Sequence, residues 1–471
     1  MNVRLIIKNT IAAFVAQGAS LLVSIVTALL VPKMLGVEGF GYWQLFIFYC
    51  SYSGLFLFGL NDGCYLINGG MDRASIDQRS INTQLLVGTI ILSLSSTIIC
   101  SVALLLIEDL DRLFVVFAFA LYTLLSGVTV FLGYTFQAMN ETRLFSFSTI
   151  LDRCSFAVPL VVFVLVQQSD FHLYVIAYLA ARTVSLLYCC WNARDILRAG
   201  YYSVDEGISQ SIKSMCVGCK LMFANVADML ILGFGRFLID SVWGVEAFGK
   251  VSLSISLVNF FIMFVTQASM VMFPTLRQGT AAERRSIYEL LRDASEVLFP
   301  AIYLLYFPIE SILSAWLPQY RDSLVYFAYL IPICVFNTKM DLCCITYYKV
   351  LRMESNLLVV NTLTVAASAI CALLGTFVVP SLDVVLLGAV GSIVGRSLWS
   401  EHSLNRALGV PGTSLPYIEV ILTVVFSVLV LSVEPPYGFA IFAACYVLYL
   451  AANRSLVASL WSSVASLASK I

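Results

Sequence analysis

Apolar runs of about twenty residues, broken by short connections rich in charge, Pro or Gly, recur from one end of the chain to the other. An α-helix needs about that length to cross the roughly 30 Å hydrocarbon layer of a bilayer. The pattern therefore predicts an all-α integral membrane protein with about fourteen transmembrane helices. The first run, about Leu5 to Val31, follows Arg4 and Lys8. It is longer than a signal-peptide core and has no clear small-x-small cleavage site after it, so it is expected to be a retained first helix. Composition agrees: 60% of residues are hydrophobic and 12% charged, against about a quarter charged in soluble domains.

Lys and Arg are retained on the cytoplasmic side of a membrane protein. Placing the N-terminus inside puts Arg73, Arg79, Arg143, Arg194, Arg198, Lys213, Arg284, Arg285, Lys349, Arg352 and Arg406 in inner loops. The outer loops then keep few basic residues, chiefly Lys33, Arg112, Lys250 and Arg321. An even number of spans leaves both termini inside. The outer connections, such as Glu108 to Arg112 and Glu434 to Pro436, are too short to form a catalytic domain.

The chain repeats itself. Gly36-Val37-Glu38-Gly39-Phe40-Gly41 returns about 208 positions later as Gly244-Val245-Glu246-Ala247-Phe248-Gly249. Asp77-Gln78-Arg79-Ser80-Ile81 returns as Glu283-Arg284-Arg285-Ser286-Ile287, and Phe136 to Thr142 is echoed weakly by Tyr348 to Ser355. Matched segments six spans apart face the same way, which predicts two parallel-repeat six-helix bundles. The expected organisation is an N-terminal bundle over 1–193, a cytoplasmic linker over 194–215, a second bundle over 216–406, and an appended helix pair with a cytoplasmic tail over 407–471.

Candidate chemistry is sparse. The net charge of −1 includes no basic or acidic tail, so no nucleic-acid partner is expected. The 13 cysteines lie largely in apolar runs, and the Cys216-x-x-Cys219 pair has neither a second pair nor a nearby histidine, so no metal is expected. His172 and His402 lack a nucleophile or carboxylate at a catalytic spacing, and no Walker, G-x-S-x-G or H-E-x-x-H motif occurs. Neither an enzymatic reaction nor a cofactor is expected.

Charges inside the spans carry the functional signal. Arg182, Lys220, Asp228, Lys339, Asp341 and Arg396 interrupt runs that otherwise suit hydrocarbon, at about 2.5 to 3.5 kcal/mol each near the bilayer centre. They are expected to face one another or a hydrated cavity. In this set cations exceed carboxylates, which points to an anion-binding cavity formed by Arg182, Lys220, Lys339 and Arg396. Asp228 and Asp341 are expected in ion coupling or structural pairing, Asp228 with Lys220 being one such pair. Asn9, Gln17 and Asn259 lie in polar stripes of the first and eighth spans and are expected to line the cavity, although small polar residues also mediate helix packing.

The run Pro32-Lys33-Met34-Leu35-Gly36-Val37-Glu38-Gly39-Phe40-Gly41-Tyr42, the close of the second span at Phe58-Gly59-Leu60, and the seventh and eighth spans through Asp228, Gly244 to Gly249 and Phe273-Pro274 together carry a resemblance. The chain resembles oligosaccharide flippases of the Wzx type (O-antigen or capsule repeat units), in the polysaccharide branch of the multidrug/oligosaccharidyl-lipid/polysaccharide exporter superfamily, over roughly its first twelve spans. The resemblance implies movement of a polyprenyl-pyrophosphate-linked glycan from the inner to the outer leaflet by alternating access. It also implies membrane lipid and polysaccharide-assembly proteins as partners. Two other readings stay open: an ion-coupled exporter of the multidrug and toxin extrusion type, and a polysaccharide polymerase. The net basic cavity argues against the first, and the short outer loops against the second.

Overall fold

The computed structural model describes residues 3–278 and 280–460, with the side chains of 3–17, 19–22, 264–278 and 354 left aside. Among the described residues every regular element is helical, and twelve helical stretches are long and apolar enough to cross a membrane. Two of these stretches each hold two helices joined across a kink, at Gly36 and Gly244. That accounts for the difference from about fourteen spans.

The first compact unit, Met1–Val226, contains α1 (Val3–Ser51), α2 (Leu60–Asn68), α3 (Gln78–Leu106), α4 (Leu110–Ala138), α5 (Thr142–Leu165), α6 (Phe171–Asn192), the single turn α7 (Arg194–Leu197) and the start of α8 (Val204–Gln278). The second span is discontinuous: α1 ends at Ser51, a tight 3-10 turn covers Ser53–Leu57, and Phe58 (φ 50°) and Gly59 (φ 79°) turn the chain into α2. Non-helical backbone at that depth is tolerated where protein covers it. Here the cover is α8, pressed so close that a Cβ on Gly63 would lie 1.8 Å from the Ser214 carbonyl oxygen. Only glycine allows that approach.

Helix α3 shows how these elements sort their faces. Leu86, Ile90, Leu94 and Ile98, spaced by four, are exposed, whereas Leu85, Gly88, Leu92 and Ser96 are buried. The exposed stripe suits lipid, and the buried one packs on α4. At one end of this unit Arg73 holds Glu141 at 2.7 Å, Asp195 at 2.9 Å and the Asn192 carbonyl at 3.0 Å, tying three connections together.

The second compact unit, Ala227–Ile471, takes the rest of α8, then α9 (Ala281–Leu298), α10 (Ile302–Trp316), α11 (Arg321–Leu330), α12 (Pro332–Lys339), α13 (Thr346–Val350), α14 (Glu354–Leu373), α15 (Leu382–Leu408), α16 (Leu415–Ser432) and α17 (Pro435–Ala452). A wide π-helical turn over Met340–Ile345 joins α12 to α13. The α12 strip is the core: Ile333, Cys334, Val335 and Phe336 have no exposed surface. Helices α16 and α17 are integral to this unit and not an appendage. Tyr303 of α10 meets Thr423 at 2.7 Å, Tyr446 donates to the Val297 carbonyl at 2.8 Å, and Phe426 stacks on Tyr303 at 4.6 Å. The division between the units falls inside α8, past the 194–215 segment expected as a linker.

The repeated motifs have a common backbone. Gly36 (φ 69°, ψ −175°) and Gly244 (φ 82°, ψ 178°) occupy the same glycine-only region, each breaking a helix at the first residue of its Gly-Val-Glu motif. At Gly244 the chain folds back: the Arg236 guanidinium reaches Ser252 Oγ at 2.9 Å, although sixteen residues of straight helix would separate them by about 24 Å. The weak third echo is also structural. Asn140 (φ 61°) and Arg352 (φ 56°) are both left-handed, and each is followed by a helix-closing bond of 2.8 Å, Glu141 N–H to Phe136 O and Met353 N–H to Tyr348 O. The second motif diverges: Asp77 caps α3 itself, whereas Glu283 sits third in α9 and completes a capping box with Thr280.

A Cβ at Gly36 or Gly244 would meet nothing within 4 Å, so substitution there tests backbone strain alone. Gly244→Ala is expected to cost about 1 to 3 kcal/mol and to lower the thermal unfolding midpoint of the purified protein, with Gly391→Ala, a helical glycine with equal room, as the unaffected control.

Candidate functional site

The six charges singled out from the sequence fall into separate surroundings. In the first unit, Arg182 projects from α6 between α4 and α5. One guanidinium nitrogen lies 3.4 Å from Asp152 Oδ2, another donates to Ser126 Oγ at 2.8 Å, and the plane rests 5.6 Å from the Tyr122 ring. Among the described residues its buried Nε has no partner, nor has the Nε of Arg153, next to Asp152 on α5. Of the two cations, only Arg182 is paired with Asp152 among the described residues. Tyr122, Tyr178, Phe156, Phe46 and Trp43 form the aromatic wall beside them, with Trp43 and Phe156 stacked at 5.7 Å.

In the second unit Arg396 of α15 contacts Asp228 of α8 at 2.5 Å; the guanidinium is 3% exposed and the carboxylate 53%. Asp228 thus pairs with Arg396 and not with Lys220. Lys220 is exposed on α8 and makes no ion pair among the described residues. Asp341 is half-buried in the π turn, and its carbonyl accepts from Thr346 at 3.1 Å.

Lys339 departs most from expectation. Its ammonium lies 3.2 Å from Glu296 Oε1, 2.7 Å from Glu401 Oε2 and 3.0 Å from Glu419 Oε2, with all four side chains between 0 and 4% exposed. A cation enclosed by three carboxylates has no positive charge left to offer an anionic substrate. The excess of cations expected from the sequence is also reduced, because Asp152, Glu296, Glu401 and Glu419 belong to the same buried set. Each lies a few residues inside the edge of an apolar run, where a carboxylate resembles an interfacial charge.

Of the polar stripes, Asn259 is exposed on α8, while Ser252 and Ser256 serve the fold, one receiving Arg236 and the other donating to the Ser252 carbonyl at 2.9 Å. Asn9 and Gln17 lie among the side chains outside the described residues. Cys216 is exposed, Cys219 half-buried, and among the described residues no group of His, Cys, Asp or Glu is placed to hold a metal ion.

Two many-spanned helical units carrying buried, ion-paired charges define the chain as a multi-pass membrane protein, and its fold is similar to that of several solved membrane transporters. It is similar to the lipid II flippase MurJ in an inward closed conformation, with TM-score 0.61 and 11% identity over 96% of this chain and 100% of that one. It is similar to a MOP superfamily transporter from Pyrococcus furiosus, with TM-score 0.53 and 9% identity over 87% and 96% of the two chains. A multidrug resistance MATE family transporter in an inward-facing conformation gives TM-score 0.53 and 13% identity over 84% and 96%. The chain belongs to the polysaccharide biosynthesis protein family, whose model matches residues 6–280, more than half of its length. No curated protein matches it.

The Lys339 cluster makes a stability prediction. Lys339→Met leaves three buried carboxylates facing one another and is expected to cost about 3 to 5 kcal/mol. Adding Glu296→Gln, Glu401→Gln and Glu419→Gln to that variant is expected to restore much of the loss, read as the thermal midpoint in one detergent.

Proposed function

We propose that this chain is a flippase that moves a polyprenyl-pyrophosphate-linked oligosaccharide from the cytoplasmic to the outer leaflet by alternating access. The family supports a role in polysaccharide biosynthesis, and the fold supports a path through the membrane. The observation that carries the reading is Arg182. Its guanidinium meets a single carboxylate, Asp152, at 3.4 Å and, among the described residues, keeps a buried N–H unsatisfied. A guanidinium in that state suits a phosphate oxygen, and a pyrophosphate cannot enter hydrocarbon without fixed positive charge. The polyprenyl chain can remain in lipid while the head group crosses. Arg396 provides a second buried guanidinium, paired with a carboxylate that is half open to its surroundings. Lys339 is not assigned to the substrate. The matching setting is a bacterial cytoplasmic membrane, with glycan-assembly proteins as partners.

In a strain that depends on this protein, Arg182→Ala is expected to reduce surface polysaccharide by about 10-fold or more while lipid-linked repeat units accumulate in the inner leaflet. That corresponds to the loss of a charge-assisted hydrogen bond of roughly 1.5 to 3 kcal/mol. Arg182→Lys keeps the charge without the fork and is expected to fall between. Normal surface polysaccharide in both Arg182→Ala and Arg396→Ala, at wild-type protein levels, would remove the assignment.

A further inference from the structure

We propose that the cluster of Lys339, Glu296, Glu401 and Glu419 is a proton-binding site that holds at least one exchangeable proton on its carboxylates. The four side chains come from α12, α9, α15 and α16, and none has more than 4% of its surface exposed. One ammonium faces three carboxyl groups, so full ionisation would leave two negative charges enclosed by protein. Buried charge without a partner costs several kcal/mol, and a carboxylate escapes that cost by taking up a proton.

Among the described residues, the neighbouring cations and hydroxyls are engaged elsewhere. Arg292, one turn before Glu296, is committed to Asp293 at 2.8 Å and to Asn405 Oδ1 and the Pro411 carbonyl. Arg396 is committed to Asp228. The hydroxyls of Tyr449 and Tyr288 donate to the backbone carbonyls of Glu296 and Glu401, not to their carboxylates. Cys343 and Cys344 of the π turn are also near enough to feel these charges.

Two carboxyl oxygens mark where a proton can bind. Glu296 Oε2 and Glu419 Oε1 belong to side chains with no exposed surface, and neither has a hydrogen-bond partner among the described residues. A protonated carboxyl is a donor where an ionised one can only accept, so protonation changes which of these oxygens can be satisfied. A metal ion fits less well, because the Lys339 ammonium already occupies the position between the carboxylates. Because four helices meet at the cluster, gain or loss of the proton changes the force holding α16 to α9 and α12. If the flippase reading holds, the site is where a proton gradient would be felt, but proton binding itself does not rest on that reading.

Infrared difference spectroscopy on the purified full-length protein, across a pH jump, tests the site directly. The expected result is a protonated-carboxyl C=O band that shifts down in D₂O and is lost or clearly reduced in Glu419→Gln or Glu296→Gln, both neutral replacements of the same shape. Size-exclusion chromatography identifies folded variants, and either one suffices. Absence of the band from the wild type, or its persistence unchanged in all folded variants of Glu296, Glu401 and Glu419, would overturn the proposal. Surface polysaccharide measured in the same variants reports separately on transport. Its loss in Arg182→Ala with the band intact would leave the proton site standing, and a missing band in a wild type that exports normally would sink the proton site alone.

Discussion

An ionised side chain inside a membrane protein must be neutralised by its neighbours, and the second unit is organised around one such charge. Lys339 ends α12, a strip buried almost throughout, and its ammonium draws carboxylates from α9, α15 and α16 to within 3.2 Å. Removing one partner of a buried ion set leaves the others uncompensated, at a cost of about 3 to 5 kcal/mol. That constraint explains why α16 is part of the unit: Glu419 is one of the three carboxylates, and Tyr303, Phe426 and Tyr446 pack the helix pair around it. The wide turn over Met340–Ile345 directly follows the lysine, a position where such turns often accompany functional groups.

The two buried arginines follow the same rule less completely. Arg182 and Arg396 both lie late in their repeats, on α6 and α15, and each meets one carboxylate through a single contact. A single contact leaves donors of the five-donor guanidinium available, and in both residues Nε is buried and unsatisfied. Lys339 is saturated by comparison. The chain thus separates two kinds of buried cation: one enclosed by three carboxylates, and two that each meet a single carboxylate and keep donors over.

The glycine motifs give the repeat its shape. Gly36 and Gly244 adopt a conformation closed to other residues, so a helix entering either motif must break there. The same backbone solution in both copies, together with the paired left-handed residues Asn140 and Arg352, indicates that the repeat is structural and not only a resemblance of letters. Of the three repeated motifs, the one at the helix start diverges: Asp77 caps directly, whereas Glu283 acts through a capping box.

The all-helical membrane class, the span lengths and the positions of the two glycine breaks could be read from the chain alone, because hydrocarbon thickness and φ/ψ sterics act on local sequence. The buried cations were also legible as charges in apolar runs. What the chain could not disclose was the partner of each. Lys339 meets Glu296, Glu401 and Glu419 across 43 to 80 positions, and Arg396 meets Asp228 across 168. Neither spacing nor hydropathy encodes which helices become neighbours. Whether a buried cation is available to a substrate or consumed by carboxylates is therefore a property of helix packing: Coulomb attraction acts through space, and only the tertiary fold sets those distances.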